Sequence, residues 1–134
     1  MIDIEIDFYD ELARAVLDIN DVAYVTNIEV AAPPQFPAVS IIEISNIEDA
    51  ARNDSSNAEN AALVTYEINA YSNSASHGTA ECKSILQAVD ETMRSRNMQR
   101  TYFGPVPNAS DPGIYRMVAR YVGVIGKDHV HYRR

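Results

Sequence analysis

The chain has no tryptophan, one cysteine, five glycines and no apolar run beyond a few residues in 134 positions. Each shortage excludes something. Without a run of roughly 20 apolar residues, no helical span of a bilayer is expected. A single cysteine, Cys82, rules out an intrachain disulfide. It falls within a helical apolar stripe and reads as a small buried apolar side chain, not a reactive thiol. The glycines are scattered, so no phosphate-cradling loop forms. One cysteine and no His-x-x-x-His pair supply no preformed zinc site. His129 and His131, two apart in a polar tail, read as solvated, and His77 reads as a loop histidine before a helix. The segment Met1-Ile2-Asp3-Ile4-Glu5 has neither a basic nor an apolar signal region, so no secretory leader is expected.

Basic residues are scarce in the first half. Residues 1–67 carry fourteen acids against two bases, Arg14 and Arg52, and residues 68–134 carry five acids against nine bases. The overall charge is −8, which argues against a protein devoted to gripping nucleic acid. No ribonucleoprotein or helix-turn-helix signature accompanies the later arginines. The asymmetry fits charge pairing within one subunit, or two complementary surfaces suited to head-to-tail association.

What is present is a core. Apolar residues make up 46% of the chain, and its length suits one domain covering 1–134. In Leu63–Ser72, Val64, Tyr66, Ile68 and Ala70 alternate with Thr65, Glu67 and Asn69, the period of a half-buried strand. Cys82, Ile85, Leu86, Val89 and Met93 then mark one stripe of the longest helix, with Ser74, Ser76 or Thr79 as its cap and Arg96-Asn97 as its end. A first helix is predicted over 7–19, capped by Asp7, with Phe8, Leu12, Ala15 or Val16, and Ile19 inward. Strands are predicted at Tyr24–Val30 (Tyr24, Thr26, Ile28 and Val30 inward), Ala38–Ser45, Met98–Phe103 and Ile114–Ile125. In the last, Tyr115, Met117, Ala119 and Tyr121 share one face and Arg116, Val118, Arg120, Val122 and Val124 the other. Pro33, Pro34 and Pro37 define a loop. Residues 46–60 read as a long mobile hairpin loop with a helical turn near Ile47, and 127–134 as a polar tail. The expected fold is α+β, in the order α-β-β-β-α-β-β: a mainly antiparallel sheet of four to five strands with helices on one face.

No catalytic, cofactor-binding or metal-binding set is expected. Glu29, Glu43 and Glu67 fall on strands and Arg116 and Arg120 on another. If they share the polar sheet face, they make cross-strand ion pairs or a subunit joint. Eight tyrosines against three phenylalanines also suit a wet, packed surface.

Tyr66-Glu67-Ile68-Asn69-Ala70-Tyr71-Ser72, a helix ending Val89-Asp90-Glu91-Thr92-Met93, Pro105-Val106-Pro107-Asn108, and Asp111-Pro112-Gly113-Ile114-Tyr115-Arg116-Met117-Val118-Ala119-Arg120-Tyr121 follow one another in this order. Over roughly residues 20–125 this resembles small tail-terminator and head–tail joining proteins of long-tailed bacteriophages. The resemblance implies a non-enzymatic virion subunit, assembled in host cytoplasm, that closes into a ring, commonly a hexamer, at the head-proximal end of the tail. Its partners would be the tail tube protein and the head connector. DNA would pass through an acidic lumen without specific binding. The polar stretch 46–60 departs from that pattern. A head-completion or minor capsid protein of the same fold is the nearest alternative. A small cytoplasmic α+β enzyme or ligand-binding domain, and a nucleic-acid adaptor, are readings from other classes.

Overall fold

The structure, a computed structural model, describes residues 1–30, 33–49, 59–108 and 113–132. In chain order it has α1 (Glu5–Ile19), β1 (Tyr24–Thr26), β2 (Ala38–Glu48), β3 (Ala61–Ser72), α2 (Gly78–Ser95), β4 (Gln99–Pro105), β5 (Tyr115–Gly126) and β6 (His131–Tyr132). The strands form one sheet in the order β1-β2-β3-β5-β4, and β6 pairs with β5 beyond the end of β4. Only the β1–β2 pairing is parallel among the described residues. Both helices pack on one face, so the α+β architecture is as the patterns predict, with β6 added.

Three elements follow directly from periodicity. Val64, Tyr66, Ile68 and Ala70 of β3 are buried beneath the helices, and so are all five stripe residues of α2. On β5, Met117, Ala119 and Tyr121 join the same core. Gly123 takes the place of a side chain there: a Cβ would collide with the sulfur of buried Met98. Burial pushes the Cys82 thiol up to about 12, and its Sγ donates to the Ala70 carbonyl at 3.5 Å, as befits an inert core residue. At the end of α2, Asn97 adopts a left-handed φ of 58°, while Asn97 N and Met98 N donate to the Arg94 and Met93 carbonyls. This satisfies helix-end carbonyls without glycine.

Other expectations are corrected. Helix α1 starts at Glu5, not at residue 7, and Asp7 does not cap it. Ile2 and Ile4 are buried, and that anchoring extends the helix backwards, with the Asp3 carboxylate accepting from Glu5 N at 3.0 Å. Ile19, expected inward, is exposed. No side chain caps α2; the Ser74 hydroxyl accepts from the N–H of His77, the residue before the helix, at 3.1 Å. Strand β1 is only three residues long. Past it, the chain turns where Thr26 Oγ1 accepts from Ile28 N at 3.3 Å, which leaves Ile28 exposed. Val25 faces the main core, whereas Tyr24 packs with Phe36 against Ala38, Tyr71 and Ile114 on the opposite sheet face.

The hairpin between β2 and β3 is confirmed, but its loop is shorter. Asn46, Ile47 and Glu48 are strand residues paired with Val64, Leu63 and Ala62, so the helical turn near Ile47 is absent there. The mobility expected of 46–60 falls largely on residues 50–58, outside the described residues. Strand β4 runs to Pro105, past its predicted end at Phe103. The described part of the tail is not free. His131 and Tyr132 pair with Ile125 and Val124, and the His131 ring packs edge-on against Phe8 at 4.9 Å. The edge of β5 that β4 leaves open needs a partner, and Asn97 Nδ2, donating to the His131 carbonyl at 2.9 Å, ties β6 to the end of α2.

Candidate subunit interface

The sheet face away from the helices carries a connected polar network. Register sets it: Glu67 of β3 lies opposite Arg120 of β5, and Tyr71 opposite Arg116. Arg116 donates from Nε and Nη2 to Asn69 Oδ1 at 2.9 and 2.6 Å. Asn69 Nδ2 in turn donates to Glu67 Oε1 at 3.2 Å. Arg120 Nε donates to Glu67 Oε2 at 3.2 Å, while Arg116 Nη2 stands 3.9 Å from the other carboxylate oxygen. The two guanidiniums also lie over rings, Arg116 over Tyr71 and Arg120 over Tyr102, each 5.8 Å from the ring centre. Burial pushes the Tyr71 hydroxyl up, and the Arg116 charge opposes that.

The two arginines differ in exposure. The Arg116 side chain is 22% exposed and has its partners within the subunit, while that of Arg120 is 50% exposed. Arg120 is therefore the cation of this network with donor capacity left for a neighbour. Arg116, Arg120 and Glu67 come together as the sequence pattern implied.

Glu29 and Glu43 do not join them. Glu29 is exposed beyond the end of β1, and its only described influence on this network is an upward push of its charge on the Tyr71 hydroxyl. Glu43 lies opposite Tyr66, so it points to the helix side of the sheet. A bulge follows it, where the register shifts between Glu43 and Ser45. Asn69, Tyr71 and Tyr102 were not singled out from the sequence. Asn69 shares the strand face of Glu67, a visible signal, but the contact of Tyr102 with Arg120 depends on a bulge in β4.

The sheet ends differ in character. On its outer edge β2 is paired by β1 only at Ala38–Ser40, and beyond it Ile44 and Ile47 are 47% and 59% exposed. At the other end, β4 pairs only with β5 among the described residues and presents Arg100, Tyr102 and Phe103. Because the strand order is β1-β2-β3-β5-β4, the acidic half of the sequence supplies one end of the sheet and the basic half the other.

A separate cavity of about 290 Å³ lies between α2, β4 and β5, lined by Lys83, Leu86, Asp90, Arg100, Phe103 and Tyr121 among others. Its carboxylate is fully engaged: Asp90 accepts from the Tyr121 hydroxyl at 2.7 Å, Arg94 at 3.0 Å and Arg100 at 3.1 Å. Burial raises the Asp90 carboxyl, but these donors outweigh it and hold it below the usual range. Such a carboxylate braces α2 on the sheet and makes a poor general base. Compared with protein-family models and with curated protein sequences, the chain gives no match.

Proposed function

We propose that this chain is a structural subunit of a tailed bacteriophage virion. It closes head to tail into a ring at the head-proximal end of the tail tube, ends tube growth and offers a surface to the head connector. The observation that carries the reading is the unlike character of the two free ends of the sheet. One end leaves most of β2 unpaired on its outer side among the described residues and bears the exposed Ile44 and Ile47; the other bears Arg100, Arg120 and the exposed Tyr102 and Phe103. Unlike patches at opposite ends are what a heterologous, ring-closing contact needs. The bulge at Arg100/Tyr102 and Pro105 blunt β4 against simple strand addition, so the joint is made by side chains. Tyr102 and Phe103 serve as anchors, and Arg120 meets acids of the neighbouring copy. The net charge of −8 suits a lumen that lets DNA pass without sticking.

The test is sedimentation across a range of concentrations, with negative-stain imaging of the same samples. Closed rings, or rings capping tail tubes, are expected. If the chain remains monomeric at high concentration and tube protein polymerises unchecked in its presence, the reading fails.

A further inference from the structure

Helix α2 is laid over β3 and β5, and β4 carries the sheet past it. The ledge this leaves holds the cavity of about 290 Å³, at the small end of ligand sites, which run from about 300 to 1,000 Å³. At i, i+4 and i+7, Lys83, Gln87 and Asp90 make one wall from a single face of α2. Arg100 and Phe103 of β4 make the opposite wall, and the buried Leu86 and Tyr121 make the floor. Charge here is unbalanced. Asp90 is already satisfied by Tyr121, Arg94 and Arg100, so it seeks no further donor. Lys83 has no ion pair among the described residues. Its neighbours one helical turn away, Thr79, Ala80, Leu86 and Gln87, are uncharged. Glu81, the nearest acid along the chain, is taken by the Ser72 hydroxyl, which donates to it at 2.7 Å. Counting Arg94, three cations stand with one carboxylate, in a chain whose net charge is −8. Arg100 donates through Nη1 to Asp90 and reaches the Tyr121 hydroxyl. A guanidinium has five N–H donors, so others remain. Its position is fixed by Asp90 and by the Phe103 ring, whose centre lies 5.8 Å away. Phe103 itself is 44% exposed, so an apolar wall beside two cations is left open to solvent.

We propose that this cavity binds a small monocarboxylate with an apolar body, of the branched-chain or aryl-substituted class. The carboxylate lies between the Lys83 ammonium and the Arg100 guanidinium, and the hydrocarbon covers Leu86 and the Phe103 ring. Charge selects the monoanion. Asp90 cancels one of the two lining cations, which leaves one net positive charge for the ligand. A phosphate dianion overshoots that charge, is repelled by Asp90 and has nothing to lay against the apolar wall. A cationic ligand finds no free acceptor, because Asp90 has three donors already. Arginine offers a planar fork that matches a carboxylate, and lysine adds a point charge from the other wall. The inference does not rest on the ring reading. Arg100 and Phe103 would be shared with a ring joint, whereas Lys83 and Gln87 belong to the cavity alone, and the test is built on those two.

The experiment titrates the whole isotope-labelled chain with isocaproate and with phenylacetate, followed by amide shifts in nuclear magnetic resonance. Shifts are expected along α2 from Lys83 to Asp90 and along β4 from Arg100 to Phe103, with dissociation constants in the high-micromolar to millimolar range that so few ligand atoms allow. The neutral amides of the two acids should bind about tenfold more weakly or worse, since they give up the charge-assisted hydrogen bonds. Lys83→Gln should weaken both acids by about tenfold for the same reason. Gln87→Trp, which sets a ring across the cavity, should abolish binding. Lys83 and Gln87 are exposed, so both variants keep the core, and circular dichroism checks that they do. Lys127→Gln, an exposed cation elsewhere, should change nothing. Absence of shifts at millimolar acid overturns the proposal. So does an equal response to inorganic phosphate, which would mark an adventitious ion only, and so does binding that survives Lys83→Gln and Gln87→Trp unchanged. A peptide ending in a free leucine that binds where both small acids fail would make the cavity a protein-docking site and overturn the assignment as well.

Discussion

Replacing Arg120 with glutamate separates the two roles this residue could have. Within the subunit its loss is cheap. The pair with Glu67 is half-exposed at 3.2 Å, and exposed pairs contribute at most about 1 kcal/mol. The new carboxylate would sit directly opposite Glu67, and like charges facing across a ladder add a few tenths to about 1 kcal/mol of destabilisation. Arg116, 3.9 Å from Glu67, offsets part of that. The subunit should therefore lose roughly 1–2 kcal/mol, a fall of several degrees in melting temperature, with an unchanged circular dichroism spectrum. At a ring joint the same change is larger. A desolvated arginine that meets a carboxylate costs about 2 kcal/mol or more when truncated, roughly thirtyfold in affinity per joint, and charge reversal adds repulsion. Every joint of a closed ring carries the penalty. Sedimentation of wild type and Arg120→Glu over matched concentrations should show ring against monomer, and rising salt should loosen the wild-type ring. If the variant forms the same ring at the same concentration, Arg120 serves only its own subunit and the joint lies elsewhere.

Three further outcomes check the core and the tail. Leu86→Ala should cost about 2–5 kcal/mol in urea denaturation, because Leu86 is buried in the stripe of α2; a loss below about 0.5 kcal/mol would mean that the helix does not press that face on the sheet. Gly123→Ala should cost about 1–3 kcal/mol by overpacking against Met98, and Met98→Ala in the same chain should recover part of it. His131 is half-buried against Phe8, its Nδ1 unbonded, and burial followed by the Arg96 charge lowers it below its ordinary 6.5. The unfolded chain then takes up the proton first, so the stability His131 contributes is present above pH 6.5 and drains away as pH falls below it. Melting curves from pH 7.5 to 5 should fall less steeply for His131→Gln than for wild type, and parallel slopes would refute a buried neutral ring.

The sequence by itself determined those elements whose side chains report their own environment. Strand β3, helix α2 and strand β5 were legible because each repeats its contact with the core every two residues or every three to four, and the structure buries those same faces. The end of α2 at Arg96-Asn97 and the start of the ladder after Pro37 were legible from local backbone preferences of the residues there. The candidate site was half legible. Glu67, Arg116 and Arg120 alternate correctly along their strands, but only the pairing of β3 with β5 sets Glu67 opposite Arg120, and only that register lets Asn69 bridge Arg116 to Glu67. Glu43 went to the other face because it continues the alternation of Val39 and Ile41 and pairs with Tyr66, and Glu29 was lost from the network because strand β1, which resembles a longer strand in sequence, ends at Thr26. Strand β6 was invisible, since two residues carry no period; they are held because β5 outruns β4 and its exposed backbone needs a partner. The charge asymmetry was countable in the sequence. Its meaning depends on strand order, which carries the acidic half to one end of the sheet and the basic half to the other, and strand order is settled by long-range packing that no local pattern encodes.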